Sequence, residues 1–201
     1  MSVIEKPFSP ACERNQAVIL EQLRELLSTT GQSILEVGTG TGQHAVYFAA
    51  KLPHIIWQTA DLIEKHAGIN LWLSDANLTN ALPPVEYAIG HSQWPDGQYD
   101  VVYSANVLHI ISEALVVLLI KDLGAHLKEA ARVIFYGPFK YGGQYTADSN
   151  ADFNEWLKAR DPQSGIRDFA VIESLMQQQN FKLVSDITMP ANNQLIVFEK
   201  S

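Results

Sequence analysis

The chain has 201 residues, 47% of them hydrophobic and 18% charged, a composition expected of one soluble globular domain. Its 22 Asp and Glu outnumber 14 Lys and Arg for a net charge of −8, and no basic run offsets this, which argues against nucleic-acid and anionic-membrane partners. A single cysteine, Cys12, excludes an internal disulfide framework, and the longest wholly apolar run outside the glycine-rich region, Ala114 to Ile120, is far short of a membrane span.

Met1 to Pro10 shows neither a basic nor an apolar leader pattern, so the expected location is the cytoplasm. Ser9-Pro10 joins a capping hydroxyl to a proline at the first helical position. Val18, Ile19, Leu20, Leu23, Leu26 and Leu27 then recur at helical spacing, which predicts a helix over 9–30. Ile34 to Val37 is a short strand running into Gly38-Thr39-Gly40-Thr41-Gly42, followed by a helix from His44 to Lys51. Ile55 to Ala60 is a second strand ending at Asp61, and Glu64 to Leu78 a helix. Pro83-Pro84 introduces a third strand over Val85 to Ile89; Tyr99 to Ala105 is a fourth, Glu113 to Leu127 a helix, and Arg132 to Tyr136 a fifth strand.

The stretch 137–167 is irregular, with one short helical patch from Phe153 to Ala159, and is long enough to act as a cap over a site. Asp168 to Gln179 is the last helix. Phe181 to Thr188 and Gln194 to Glu199 close the chain around Pro190-Ala191-Asn192-Asn193, a connection too short for a parallel crossover. Alternating strands and helices imply an α/β domain with a mostly parallel sheet, here ending in an antiparallel hairpin.

The glycine loop carries the strongest chemical signal. Glycines after a strand let the backbone turn sharply and let a ligand approach the main chain. A phosphate-cradling loop of the G-x-x-x-x-G-K-[ST] type would need a lysine that is not there, and in a dinucleotide fingerprint the third glycine would come one residue later. A tight turn without ligand is the other reading. Asp61 follows Gly38 by 23 residues at the carboxyl end of the second strand, where an acid can accept from ribose hydroxyls or simply cap a helix. Glu36 can organise the loop from within the first strand.

These residues resemble motif I and the ribose acid of the class I S-adenosylmethionine-dependent methyltransferases. Pro7 to Asn15, Gly40 to His44, Tyr136-Gly137-Pro138-Phe139, Ser149-Asn150, Arg160-Asp161-Pro162, Gly165 to Asp168 and Met189 to Asn193 resemble, over nearly the whole chain, the methyltransferase-like family called domain of unknown function 938. The resemblance implies a single Rossmann-like three-layer domain over 1–201 with a seven-stranded sheet, and S-adenosylmethionine at Glu36, Gly38, Thr39, Gly40, Gly42 and Asp61. It brings no substrate with it.

After the third strand, Ala88 to Pro95 lacks the Asp that class I methyltransferases often present to adenine; His91, Ser92 or Gln93 are the available substitutes, with Trp94 either over the adenine or in the core. After the fourth strand, Ser104 to His109 lacks the [DNS]-P-P-[YFW] pattern of enzymes that methylate nucleobase amines, which points to a small-molecule acceptor. Asn106 is placed for the methionine end of the cofactor, and His109 is either a base facing the acceptor or an interior histidine. Tyr136 is the second catalytic candidate; Asn150, Arg160, Arg167, Asn192 and Asn193 are the candidates for the acceptor pocket. The two arginines suit an anionic substrate, although each stands beside an aspartate and can instead brace the loop. Phe8 to Asn15 can fold over the cofactor, with Arg14 or Asn15 touching it, or pack as an ordinary helix.

The six histidines and Cys12 show no metal-ligand spacing, and no G-x-S-x-G elbow is present. The alternatives are a non-catalytic S-adenosylmethionine-binding sensor or partner subunit, and a nicotinamide-dependent oxidoreductase, against which the early third glycine counts. Nothing in the sequence sets an oligomeric state.

Overall fold

The computed structural model describes residues 5–201, so the first four residues of the leader reading at Met1 to Pro10 lie outside it. The contacts group into two compact units, Met1–Tyr103 and Ser104–Ser201.

In the first unit, α1 (Pro10–Leu26) starts at Ser9, whose hydroxyl accepts from the Cys12 N–H at 3.4 Å, as the Ser-Pro pair leads one to expect. There follow β1 (Gln32–Val37), α2 (Gln43–Lys51), β2 (Ile55–Asp61), a 3-10 turn over Ile63–Lys65, α3 (His66–Ala76), β3 (Ala81–Glu86) and the start of β4 (Val101–Ala105). Asn77 stops α3 in the left-handed conformation at φ 49°. Ile34 to Val37 are all buried, as befits a strand with neighbours on both sides. The core gathers Ile19, Leu23, Leu35, Ile55 and Ile69 with Phe48, Trp57 and Tyr103, whose ring centroids lie 5.3–5.8 Å apart.

β3 departs from expectation. The predicted strand begins after Pro83-Pro84, yet β3 contains both prolines and ends at Glu86. It is the outermost strand of the sheet, where a missing N–H faces no partner, and its register with β2 shifts between Gln58 and Ala60. The Gln58 side chain donates to the Pro83 carbonyl at 2.7 Å across this irregularity.

The second unit holds α4 (Glu113–His126), β5 (Arg132–Gly137), β6 (Phe139–Tyr141), β7 (Gln144–Tyr145), α5 (Asp148–Arg160), β8 (Arg167–Asp168), α6 (Phe169–Gln178), β9 (Phe181–Met189) and β10 (Asn193–Lys200). The stretch 137–167 is more regular than predicted: α5 is 13 residues long, and β6, β7 and β8 form a small sheet of their own. Ala147, the N-cap of α5, offers no side-chain cap, which is why its start is hard to see in sequence.

The main sheet has seven strands in the order β3-β2-β1-β4-β5-β10-β9. β1 is parallel to β2 and β4, and β10 is antiparallel to both β5 and β9. The chain leaves β1 toward β2 and returns on the other side as β4, so the carboxyl end of β1 is the topological switch point at which open α/β sheets bind ligands. Among the described residues, no helix is long and apolar enough to cross a membrane.

Candidate functional site

At the end of β1 the glycine loop is tied to the end of β2. The N–H groups of Gly38 and Thr39 both donate to the Ala60 carbonyl at 3.0 and 3.2 Å, and the Thr39 hydroxyl accepts from the Ala60 N–H at 3.1 Å. Gly42 caps α2 at φ 95°, and a Cβ there would lie 3.2 Å from the Cβ of Trp72 and 3.3 Å from the Cα of Ile69, so the close approach of α2 and α3 requires glycine. Gly40, at φ 67°, is exposed, and a Cβ there would find nothing nearer than the Gly38 carbonyl at 4.0 Å. The loop is therefore packed on its helix side and open at Gly40.

Asp61 closes the same corner. Its Oδ2 accepts from the Gly40 N–H at 2.6 Å and its Oδ1 from the Leu62 N–H at 2.7 Å. Burial raises its pKa, and these two N–H donors oppose the rise. Each carboxylate oxygen keeps a free lone pair, so both can still accept from a vicinal diol such as a ribose. Glu36, 2% exposed, accepts from the Trp57 indole at 3.0 Å, and burial pushes its pKa up to about 8, so it is largely a neutral acid at pH 7.

The start of α1 is fastened to this loop. The Gln43 side chain accepts from the Ser9 N–H at 2.5 Å and donates to the Ser9 carbonyl at 3.4 Å, and it also bonds the Thr41 hydroxyl at 3.0 Å. Six residues along, Asn15 Oδ1 meets His44 Nε2 at 2.7 Å, while the Tyr103 hydroxyl lies 3.5 Å from His44 Nδ1. Burial pushes His44 down to about 4, so the imidazole is neutral, with its Nε2 hydrogen on Asn15. Arg14 is exposed and Asn15 is buried, so only Asn15 of the two faces the loop-side helix.

His91 and Gln93 are exposed, and Ser92 is spent on the Ala88 N–H, accepting at 2.8 Å. Trp94 is half-buried and meets Tyr87 edge-on at 5.4 Å.

In the second unit, the turn after β4 carries Asn106 and His109. Asn106 takes a left-handed φ of 59° while its N–H donates to the Tyr136 carbonyl at 2.8 Å. A Cβ on Gly137 would stand 3.5 Å from both Asn106 Oδ1 and His109 Nδ1, so the two side chains close over the bare end of β5. His109 is 5% exposed, with the Phe153 ring edge-on at 5.4 Å. Burial, helped by the charge of Arg167, pushes its pKa down to about 4. Tyr136, one residue before Gly137, directs its side chain to the other face of the strand.

Arg167 is 8% exposed and holds the His109 turn from below. Its Nε donates to the Leu108 carbonyl at 3.0 Å, and one terminal nitrogen donates to the carbonyls of Ile111 and of Gln163, the latter at 2.9 Å. Its other terminal nitrogen reaches the exposed Glu113 at 3.5 Å. Arg160 is exposed and lies over the Trp156 ring at 4.5 Å. Two of the asparagines brace α5 against the β9–β10 turn, Asn150 donating to the Asn192 carbonyl at 2.9 Å and Asn192 to the Ser149 hydroxyl at 3.1 Å, whereas Asn193 donates to the Pro190 and Ala191 carbonyls within the turn itself.

Residues 6–200 match the family described as "Protein of unknown function (DUF938)". The chain belongs to this family. Among solved structures, an O-methyltransferase family 2 protein from Planctomyces limnophilus in complex with apigenin superposes at a TM-score of 0.81 with 16% identity, over 95% of this chain and 60% of its own. The S-adenosylmethionine-dependent methyltransferase SibL in its apo form gives 0.79 and 20% over 94% and 55%. Human N-acetylserotonin methyltransferase, in complex with SAM, gives 0.77 and 14% over 95% and 53%. The chain thus spans between 53% and 60% of the length of these proteins. The fold of this DUF938 chain is that of the class I S-adenosylmethionine-dependent methyltransferases.

In the DUF938 chain, the structure brings together Glu36, Gly38, Thr39, Gly40, Gly42 and Asp61 in one unit, and Asn106 with His109 in the other. It holds Arg14, His91 and Arg160 in exposed positions and commits most of the Arg167 donors to backbone carbonyls. Sequence reasoning passed over Gln43, His44 and Gln194. The signal for Gln194 is there: it is the polar residue opening the apolar run Leu195 to Phe198.

Proposed function

We propose that this protein is an S-adenosylmethionine-dependent methyltransferase with a small-molecule acceptor. The observation that carries the reading is the Asp61 carboxylate bonded to the exposed Gly40 N–H at the switch point of this sheet. The loop backbone from Gly38 to Gly42 and the carboxylate of Asp61 would hold the cofactor, with Glu36 neutral behind them. S-adenosylmethionine supplies, when bound, a methyl group already activated on a sulfonium. What remains for the chain is to orient the acceptor, to exclude water and to receive a proton.

Phe153 and His109 suit the last two tasks. The His109 imidazole is unprotonated across the neutral range, the state needed to accept a proton, and Phe153 covers it with an apolar ring. The net charge of −8 supports a small acceptor over a nucleic acid.

Calorimetric titration with S-adenosylmethionine and S-adenosylhomocysteine tests the reading. Wild type should bind both, and Asp61→Ala should weaken binding by about 1.5–3 kcal/mol, roughly ten- to hundredfold. Absence of binding to either ligand would sink it.

A further inference from the structure

Gln194, at the start of β10, is 7% exposed, and its side-chain Oε1 is buried with no hydrogen-bond partner. Buried amide oxygens in native proteins are nearly always paired, and an orphan that persists points to a group the structure lacks. A leucine or methionine at this position would continue the apolar run of β10 without that cost.

The register of the sheet says where the amide lies. Gln194 stands directly opposite Gly137, and directly paired residues of antiparallel strands project from the same face. The same face carries Phe135 and Phe198, whose rings meet at 6.4 Å. Gly137 has no side chain to fill the space, and the atoms a Cβ there would approach are Asn106 Oδ1 and His109 Nδ1. Three polar side chains from β10 and from the turn after β4 therefore share the face at the bare end of β5.

We propose that Gln194 is a substrate-recognising residue, its side-chain amide accepting a hydrogen bond from an O–H or N–H group of a neutral acceptor held beside Asn106 and His109. The word acceptor rests on the methyltransferase reading; the binding site itself does not. The chemistry selects against an anion. Amide oxygens repel a carboxylate or phosphate, His109 is neutral, and the nearby guanidinium of Arg167 is engaged by the carbonyls of Leu108, Ile111 and Gln163. Beyond His109, the Phe153 ring stacks on Trp156 at 5.7 Å, and Trp156 is half exposed, which offers a flat ring an aromatic wall.

Ligand-detected NMR with the full chain tests this with three probes of one ring size: phenol, which donates, anisole, which does not, and benzoate, which is charged. Wild type should bind phenol in the millimolar range and roughly tenfold more tightly than either of the others. Gln194→Met and Gln194→Leu should erase the preference for phenol over anisole while melting at or above the wild-type temperature and leaving S-adenosylhomocysteine binding unchanged. No phenol binding at millimolar concentration, equal binding of phenol and anisole, a preference that survives both substitutions, or two variants that melt below wild type would each overturn the assignment. Loss of the methyltransferase reading looks different: S-adenosylhomocysteine fails to bind wild type while the phenol preference and its dependence on Gln194 remain.

Discussion

The Asp61 carboxylate accepts from the Gly40 N–H at 2.6 Å, so the acid expected to meet a ribose is also the post that fixes the open turn of the glycine loop. Its second oxygen does the same for Leu62 at 2.7 Å. Both bonds come from the chain itself and hold the loop to the end of β2. Removing the carboxylate leaves two N–H groups in search of acceptors, one of them at an exposed glycine that water can reach. Asp61→Ala should therefore cost about 1–3 kcal/mol of stability without any ligand present, a fall in melting temperature of roughly 2–10 °C for a chain of this size. Hydrogen exchange at the Gly40 amide should accelerate in the same variant. An unchanged melting temperature would mean that Asp61 serves the ligand alone.

Asn15 and His44 hold α1 to the glycine-loop helix by a buried bond of 2.7 Å. The neutral imidazole carries its hydrogen on Nε2, where Asn15 Oδ1 accepts it, and the Cys12 backbone also bonds the ring, so Asn15→Ala removes the side-chain acceptor of a buried N–H. The expected loss is about 1–3 kcal/mol. Asn15→Asp tests the charge logic separately, because a carboxylate beside the ring favours the imidazolium and must raise the His44 pKa from about 4. An NMR titration of the His44 ring checks this; a ring that still titrates near 4 in the aspartate variant would mean that the contact is not made in solution.

The order of the seven strands of the main sheet, the glycine loop and Asp61 could be read from the sequence, because each is a local pattern of apolar run, glycines or acid at a strand end, whereas the small sheet β6-β7-β8 could not. The closing hairpin was equally legible, since the Pro190 to Asn192 connection is too short for anything else. β3 was misread at its prolines because being the edge strand is a property of the whole sheet and leaves no local mark. The length of α5 was underestimated because its first turn is polar and uncapped, and it is held by Asn150 reaching across 42 residues. The same limit hid the pairing of Asn15 with His44 and of Gln194 with Gly137. Both depend on register between distant segments, whereas composition announces only that a polar residue is present.

Glu36 makes stability depend on pH in a definite direction. Its folded pKa is raised by burial to about 8 from an ordinary value of 4.5. Above pH 4.5 the unfolded chain ionises this carboxyl freely and the folded chain does not, so the contribution is fully present below 4.5 and is lost as pH rises to about 8. His44 and His109 act in the opposite sense: both are pushed down to about 4, so their contribution is present above 6.5 and is lost as pH falls toward 4. Glu36→Gln isolates the first effect, because glutamine preserves an acceptor for the Trp57 indole and cannot ionise. Wild type and variant should melt together near pH 4 and separate steadily toward pH 8, the variant ending several degrees higher. Parallel melting curves across this range would show that the Glu36 carboxyl is ionised inside the folded protein.

Arg167 carries a different load from the one its charge suggests. Its ion pair with Glu113 is 3.5 Å long, and the Glu113 side chain is 85% exposed, so solvent screens it and Glu113→Ala should change stability by less than about 0.5 kcal/mol. The donors to the carbonyls of Leu108, Ile111 and Gln163 are another matter, because those acceptors lie around the turn that presents His109. Arg167→Met keeps the length of the side chain and strips all of these donors, at an expected cost of about 3 kcal/mol or more. It also removes the positive charge that helps hold the His109 pKa low, so the ring should titrate at a higher pH than in wild type, while burial keeps it below its ordinary value of 6.5. Thermal melting and an NMR titration of His109, run on both variants, separate the roles. If Glu113→Ala matches Arg167→Met in melting temperature, the ion pair holds the turn; if only the arginine variant falls and its His109 shifts upward, the carbonyl bonds do.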